Sequence, residues 1–178
     1  MTIYKDGYSI CLSTIDKDIM DLLRVSRNDE RIWKWCRQTS LISDIDQENW
    51  YRKINSDSSI KMFSILKHGS CEVFGVCGFT DINHLHQRAE FSLYVLPEFW
   101  HHGIGTEALE VLIWHGFNAF NFRNIWGETF DGNPALKIFE KIGFEVTGKR
   151  PEFYYKNGKF LDAHLVNISR EKWLSMQS

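Results

Sequence analysis

The stretch of this 178-residue chain best suited to chemistry runs Ala89-Glu-Phe-Ser-Leu-Tyr-Val-Leu-Pro-Glu-Phe-Trp-His-His-Gly-Ile-Gly-Thr-Glu-Ala-Leu109. It reads as a strand, a short polar loop and the start of a helix. Backbone N–H groups exposed at a helix start bind anions, and the helix dipole adds to the attraction. Glycine lets a phosphate approach the backbone closely. A pyrophosphate would therefore fit at His101, His102, Gly103, Ile104, Gly105 and Thr106. The same glycines serve a tight turn equally well. Neither GxxxxGK[ST] nor GxGxxG is present, since Ala108 stands where the last glycine of the second motif would fall. On the strand, Ala89, Phe91, Leu93 and Val95 share one face, and Glu90, Ser92 and Tyr94 share the other. Glu90 thus points away from the more apolar side. It is a candidate proton acceptor, with an ion pair to Arg88 or Lys61 as the competing role.

The elements that must position these groups are legible from periodicity. A first strand is expected over Tyr8 to Ser13, then helix from Asp16 to about Cys36, broken near Ser26-Arg-Asn-Asp29. A short helix follows over Asp46 to Ile54, with Asp44 or Asp46 as its cap. Strands over Lys61–Leu66 and Val73–Phe79 flank a turn at His68-Gly-Ser70, and Ala89–Leu96 is the next strand. Ala108, Leu109, Leu112, Ile113, Phe117 and Phe120 give one apolar helix face from about Gly105. A strand is expected over Ile125–Phe130. Pro134–Ile142 is a helix with Asn133 to cap it and Gly143 to stop it. Strands over Phe144–Tyr155 and Phe160–Ile168 are joined by an Asn157-Gly158 hairpin turn. Hairpins mixed with helix crossovers predict an α+β fold, a mixed sheet with helices on both faces.

Composition sets the outer limits. Aromatic residues at 15% and charged residues at 25% exclude a disordered or collagen-like chain. The net charge of −2 gives no electrostatic case for nucleic acid or an anionic membrane. No apolar run approaches a membrane span, and Met1-Thr-Ile-Tyr-Lys-Asp-Gly7 has no signal-peptide core. Cys11, Cys36, Cys71 and Cys77 lack metal or disulfide spacing and read as reduced thiols. No repeat or linker is visible. The expectation is one cytoplasmic domain over residues 1–178. His84-x-His86 and His101-His102 are not accompanied by any zinc-ligand spacing, so no metal is expected.

Three ordered motifs give a resemblance. Gly103-x-Gly105 followed by Thr106-Glu-Ala-Leu109 resembles the glycine loop of the GNAT family of N-acetyltransferases, with Trp100 where that family has Gln or Arg. Asn133-Pro-Ala-Leu-Lys-Ile-Phe-Glu-Lys-Ile-Gly-Phe144 resembles the family's N-x-x-A-x-x-x-Y/F-E-K-x-G-F. Gly148-Lys-Arg150, Tyr155-Lys-Asn-Gly-Lys-Phe-Leu-Asp-Ala-His164 and Ser169-Arg-Glu-Lys-Trp173 are similar to the end of its RimJ/RimL branch. The resemblance is good over about Val73 to Trp173 and loose before it.

It implies the GNAT fold, with a twisted, mostly antiparallel sheet, and acetyl-CoA as cosubstrate without a metal. Pyrophosphate would lie on the amides of His101 to Thr106. Pantetheine would pair along Leu93, Tyr94 and Val95, with Asn133 and Phe139 on the cofactor side. Glu90 would be the general base, and main-chain N–H groups near Tyr94 and Val95 would polarise the carbonyl. Phe139 stands where many relatives have a proton-donating tyrosine, which leaves water, Tyr94, Ser92 or Tyr154 to protonate the leaving thiolate. The acceptor would be a primary amine. A protein N-terminus is favoured by the C-terminal motif, with a polyamine or amino sugar as alternatives. A largely non-catalytic acetyl-CoA-binding module is the rival reading. A homodimer is compatible with the resemblance. Trp33, Trp35 and Trp50 would either wall an acceptor pocket or pack the core, and Asp44, Asp46, Glu48 and Asp57 would either attract a cationic amine or form a solvated face.

Overall fold

The computed structural model describes residues 2–177. Seven strands form one sheet: β1 (Ile10–Ser13), β2 (Lys61–Lys67), β3 (Val73–Asn83), β4 (Arg88–Val95), β5 (Asn124–Phe130), β6 (Glu145–Lys156) and β7 (Lys159–Ser169). Their order is β1-β2-β3-β4-β5-β7-β6. Only β4 and β5 are parallel, and they pair only through Arg88–Glu90 against Asn124–Trp126. Beyond that point β5 pairs with β7 alone, through to Phe130. The sheet therefore parts between β4 and β5 toward their C-terminal ends.

Helices cover both faces. α4 (Ile104–Asn118) and α5 (Ala135–Ile142) pack with Ala89 and Phe91 of β4 in the larger core cluster. α1 (Met20–Asn28) and α3 (Asp44–Ser56) enclose a smaller cluster in which Met20, Leu23 and Ile54 meet Val76, with Tyr94 packed against it. Ala89 and Phe91 lie in one cluster and Tyr94 against the other, which is the alternation of a strand covered on both sides. α4 is buried nearly all round: Leu109, Leu112, Ile113 and Phe117 are fully enclosed, each worth roughly 1.5–3 kcal/mol. This helix is what fixes the glycine loop to the sheet. α2 (Glu30–Trp33) and α6 (Arg170–Ser175) are short.

Boundaries differ from the sequence expectations for local reasons. β1 begins at Ile10 because Tyr8 and Ser9 turn toward α4. The Tyr8 hydroxyl donates to Glu110 at 2.6 Å, and the Ser9 N–H donates to Glu107 at 2.8 Å. α3 begins at Asp44 because Ser43, not Asp44 or Asp46, is the cap. Its Oγ accepts from the Asp46 N–H at 3.2 Å while the Asp46 carboxylate accepts from the Ser43 N–H at 2.9 Å, a reciprocal capping box. The expected break between α1 and α2 falls at Asp29, which caps α2 by accepting from the Arg31 N–H at 2.8 Å. Asn133 Oδ1 accepts from the Ala135 N–H at 3.0 Å at the head of α5.

One half-buried histidine is expected to make the stability depend on pH. His115 on α4 stands edge-on to Phe63 and Phe120, with ring centroids 5.8 and 5.3 Å away. Burial lowers its pKa from the usual value of 6.5. The unfolded chain then takes up a proton at a higher pH than the folded one. The stability tied to neutral His115 is present above about 6.5 and is lost as pH falls through the folded value. His115→Phe is expected to narrow the gap in Tm between pH 7 and pH 5. An unchanged gap would place the acid sensitivity elsewhere.

Candidate active site

The register of β3 on β4 decides which backbone groups face the opening. The Leu96 N–H donates to the Phe74 carbonyl at 2.8 Å, and the pairing runs without a shift from Gly75↔Val95 to Thr80↔Glu90. Alternate residues bond in turn in an antiparallel ladder. Tyr94, Ser92 and Glu90 therefore turn their main-chain groups toward β3, and Val95 and Leu93 turn theirs toward the departed β5. Leu93 N–H and C=O and the Val95 N–H line the opening, as a template for an extended amide-bearing ligand. Tyr94 differs from its two neighbours in this respect. Its main-chain groups belong to the β3 ladder, and its ring faces the helices, with the Arg27 guanidinium 5.4 Å from its centroid.

The end of the strip is closed by Trp100, whose indole N–H donates to the Val95 carbonyl at 2.7 Å. At the position where the sequence motif departs, this side chain ties the loop to β4. Gly103 adopts φ +80°, a left-handed conformation that suits glycine, and His101 adopts φ +65°. The first α4 amides to find a helical carbonyl are those of Thr106 and Glu107, both on the Gly103 carbonyl. The preceding amides face the loop at the positive end of the helix. A Cβ at Gly105 would meet Val95 Cγ2 at an ordinary 3.6 Å. His101 and His102 are exposed. Leu93, Val95 and the His101–Thr106 loop are thus brought to one edge of the opening.

Phe139 is buried against Phe91, with ring centroids 4.9 Å apart, and near Phe144. It packs in the core beneath the point where the strands part. Asn133 holds the start of α5.

Glu90 lies on the opposite face, with its side chain 9% exposed. Its Oε2 accepts from Thr80 Oγ1 at 3.2 Å and its Oε1 from Arg37 Nη2 at 2.7 Å. The expected partner Arg88 is instead paired with Asp81 at 3.0 Å. Glu90 is in register with Trp126, so Glu128, two residues on, shares its face across the opening. Glu128 is 2% exposed. It accepts from the Tyr154 hydroxyl and from Arg150 Nη1 at 2.7 Å, and Arg37 Nη1 lies 3.6 Å away. Two desolvated carboxylates require such cations. Burial opposes the charge of Arg37, but Glu90, Tyr154 and Glu128 outweigh it and hold its guanidinium protonated above the usual range. Burial and then the Glu128 hydrogen bond raise the Tyr154 pKa, and burial pushes Tyr94 up to about 12. Both phenols keep their protons at neutral pH. Arg37, Glu128, Arg150 and Tyr154 form a network that spacing along the chain does not signal; of its members the sequence offers Tyr154 as one of several proton donors.

Other expected features have structural partners. Asp44 pairs with Arg24 at 2.7 Å, Asp46 serves the capping box, and Asp57 accepts from Ser59. Glu48 pairs with Arg52 at 3.3 Å. Trp50 packs in the smaller cluster, Lys34 lies over Trp35, and Lys156 lies 3.9 Å over the Trp33 ring. Among the described residues no three of His, Cys, Asp and Glu come together as a metal site. An open backbone strip, a helix terminus for an anion and a buried carboxylate beside them suit an acyl-thioester donor and an amine acceptor.

Comparison with known proteins agrees. Residues 10–145 match the family model described as an acetyltransferase (GNAT) domain. The spermidine N(1)-acetyltransferase of Escherichia coli K12 is 24% identical over 170 residues, covering 95% of this chain and 90% of that protein. Its Vibrio cholerae counterpart is 22% identical over 167 residues, covering 93% and 96%. The crystal structure of spermidine N-acetyltransferase from Vibrio cholerae in complex with CoA and spermine shares the fold, with a TM-score of 0.88, 22% identity, and 93% and 98% of the two chains covered. These relatives are not specifically of the RimJ/RimL branch toward which the sequence leans, and their names match the polyamine alternative more than a protein N-terminus. The strand order, the parting of β4 from β5 and the family match over most of the chain lead to one assignment: the chain belongs to the GNAT family of acetyl-CoA-dependent N-acetyltransferases.

Proposed function

We propose that the protein moves acetyl from acetyl-CoA to a primary amine of a small polycationic acceptor of the spermidine type, by direct transfer. The observation that carries this reading is the pair of buried carboxylates, Glu90 and Glu128, facing each other across the opening between β4 and β5. A carboxylate pair there suits a cationic acceptor better than an apolar one. The full-length relatives named for spermidine acetylation support the acceptor class. A protein N-terminus, expected from the C-terminal motif, has no such support.

The thioester supplies an activated acetyl group. The chain supplies the rest. Leu93 and the Val95 N–H hold an extended amide by strand-like pairing, and the loop from His101 to Thr106 holds an anion. Glu90 takes the proton that the attacking nitrogen sheds as its bond to carbon forms and the carbon–sulfur bond breaks. A main-chain N–H on the open side of β4 offsets negative charge on the carbonyl oxygen. Phe139 has no proton to give, so the departing sulfur is protonated by water or by a phenol. Tyr154 keeps its proton at neutral pH and donates to Glu128.

The test is release of free CoA from acetyl-CoA over a panel of spermidine, spermine, Ser- and Ala-leading peptides, an aminoglycoside and a nucleotide-linked amino sugar. Spermidine and spermine are expected to give the fastest release. Release with only a peptide or a sugar would move the acceptor class. Silence across the panel from protein whose Tm acetyl-CoA still raises would favour the CoA-binding module that Phe139 motivates.

A further inference from the structure

Arg37 stands between solvent and both carboxylates. Its side chain is 49% exposed, whereas those of Glu90 and Glu128 are 9% and 2% exposed. It donates to Glu90 on β4 at 2.7 Å and lies 3.6 Å from Glu128 on β5, so one guanidinium spans the opening. It belongs to the irregular segment 34–43 between α2 and α3. That segment is pinned on either side of Arg37. The Lys156 ammonium, at the end of β6, donates to the Cys36 carbonyl at 2.7 Å and to the Gln38 carbonyl. Asn28 holds the same segment farther on: its Nδ2 donates to the Ile42 carbonyl at 2.9 Å, and its Oδ1 accepts from the Ile42 N–H at 2.8 Å. Lys156 is itself buried. A buried ammonium on two carbonyls is a costly device to keep unless the carbonyls must be held.

We infer that Arg37 is a resident cation occupying the subsite of the acceptor's ammonium group, and that Lys156 positions it there. This rests on the polycation reading above. The acceptor then binds by exchange, its charge replacing that of Arg37 between Glu90 and Glu128. The consequence is selectivity. A neutral amine cannot replace the guanidinium without leaving buried Glu90 short of a counter-charge and Glu128 with Arg150 alone, whereas a polycation can. The exchange also keeps the carboxylates compensated when no acceptor is present.

The inference is tested by removing the resident cation and offering a substitute. Methylguanidine hydrochloride is the probe, on the full chain, with wild type, Arg37→Ala, Arg37→Lys and Lys156→Met. Arg37→Ala is expected to gain Tm in millimolar methylguanidine, and wild type and Arg37→Lys are not. In the transfer assay, methylguanidine should compete with spermidine at least about fivefold more strongly in Arg37→Ala than in wild type. The KM for spermidine should fall in Arg37→Ala while kcat changes less. Lys156→Met, which frees the segment without removing its charge, should shift in the same direction by a smaller factor. It also serves if Arg37→Ala gives no acetyl-CoA-dependent Tm rise and is therefore misfolded. Equal methylguanidine effects on wild type and on the variants, or a raised spermidine KM in them, would overturn the inference. If wild type leaves spermidine unacetylated, the acceptor reading fails, and the Tm comparison with methylguanidine still decides the role of Arg37.

Discussion

Glu90→Gln is expected to lower kcat for acetyl transfer about a hundredfold, equivalent to about 2.7 kcal/mol of barrier. The substitution keeps the volume and the contact with Thr80 Oγ1, which lies 3.2 Å from one carboxylate oxygen. What it removes is the capacity to take a proton. Arg37 would retain Glu128 as a counter-charge, so the local packing has a route to persist. The effect should therefore fall on kcat more than on KM for acetyl-CoA, whose expected contacts are the main chain of Leu93 and Val95 and the loop from His101 to Thr106, not the Glu90 side chain. Steady-state kinetics with a Tm measured alongside checks both points. A kcat within about threefold of wild type from pH 6 to pH 9 would remove Glu90 from the base role and direct attention to Glu128.

The parts of the site that sequence makes legible are those whose residues are neighbours in the chain. The loop from His101 to Thr106 and the α5 segment from Asn133 to Gly143 each carry their own punctuation, so their place in the fold follows from local rules. Glu90 was legible because strand alternation sets it opposite Ala89 and Phe91. The network around it was not. Arg37, Glu90, Glu128, Arg150, Tyr154 and Lys156 come from four separate elements, and nothing in their spacing predicts that a loop after α2 meets the end of β6. The direction of the Tyr94 main-chain groups is hidden for a related reason. Which of two adjacent strand residues offers its amide to the opening depends on the phase of the β3–β4 ladder, and phase is a property of pairing, not of one strand. Tyr8 and Ser9 show the same limit: they alternate like strand residues, but two glutamates of α4 capture them.

Where β4 and β5 part, Gly127 leaves room for the Phe91 ring, and filling that room should be costly. Gly127 follows Trp126, the last β5 residue paired with β4. A Cβ at Gly127 would lie 2.3 Å from Phe91 Cε1 and 2.8 Å from Cδ1. Phe91 cannot easily give way, because Phe139 and Phe144 hold it with ring centroids 4.9 and 4.8 Å distant. Close-packed interiors pass such overlap to the backbone, at about 1–3 kcal/mol. Near the upper end of that range, and at about 2–4 °C per kcal/mol for a chain of this size, Gly127→Ala should lower Tm by about 5–10 °C. Because Glu128 is the next residue, any shift of β5 also moves one of the two carboxylates away from Glu90, so the affinity for a cationic acceptor held between them should fall with Tm. Phe91→Leu in the same chain makes room for the methyl group. The double variant is therefore expected to be more stable than the sum of the single effects allows, by about 1 kcal/mol or more. An unchanged Tm in Gly127→Ala, or strict additivity with Phe91→Leu, would mean that β5 has slack at this point and that the opening is shaped by something other than the Gly127–Phe91 contact.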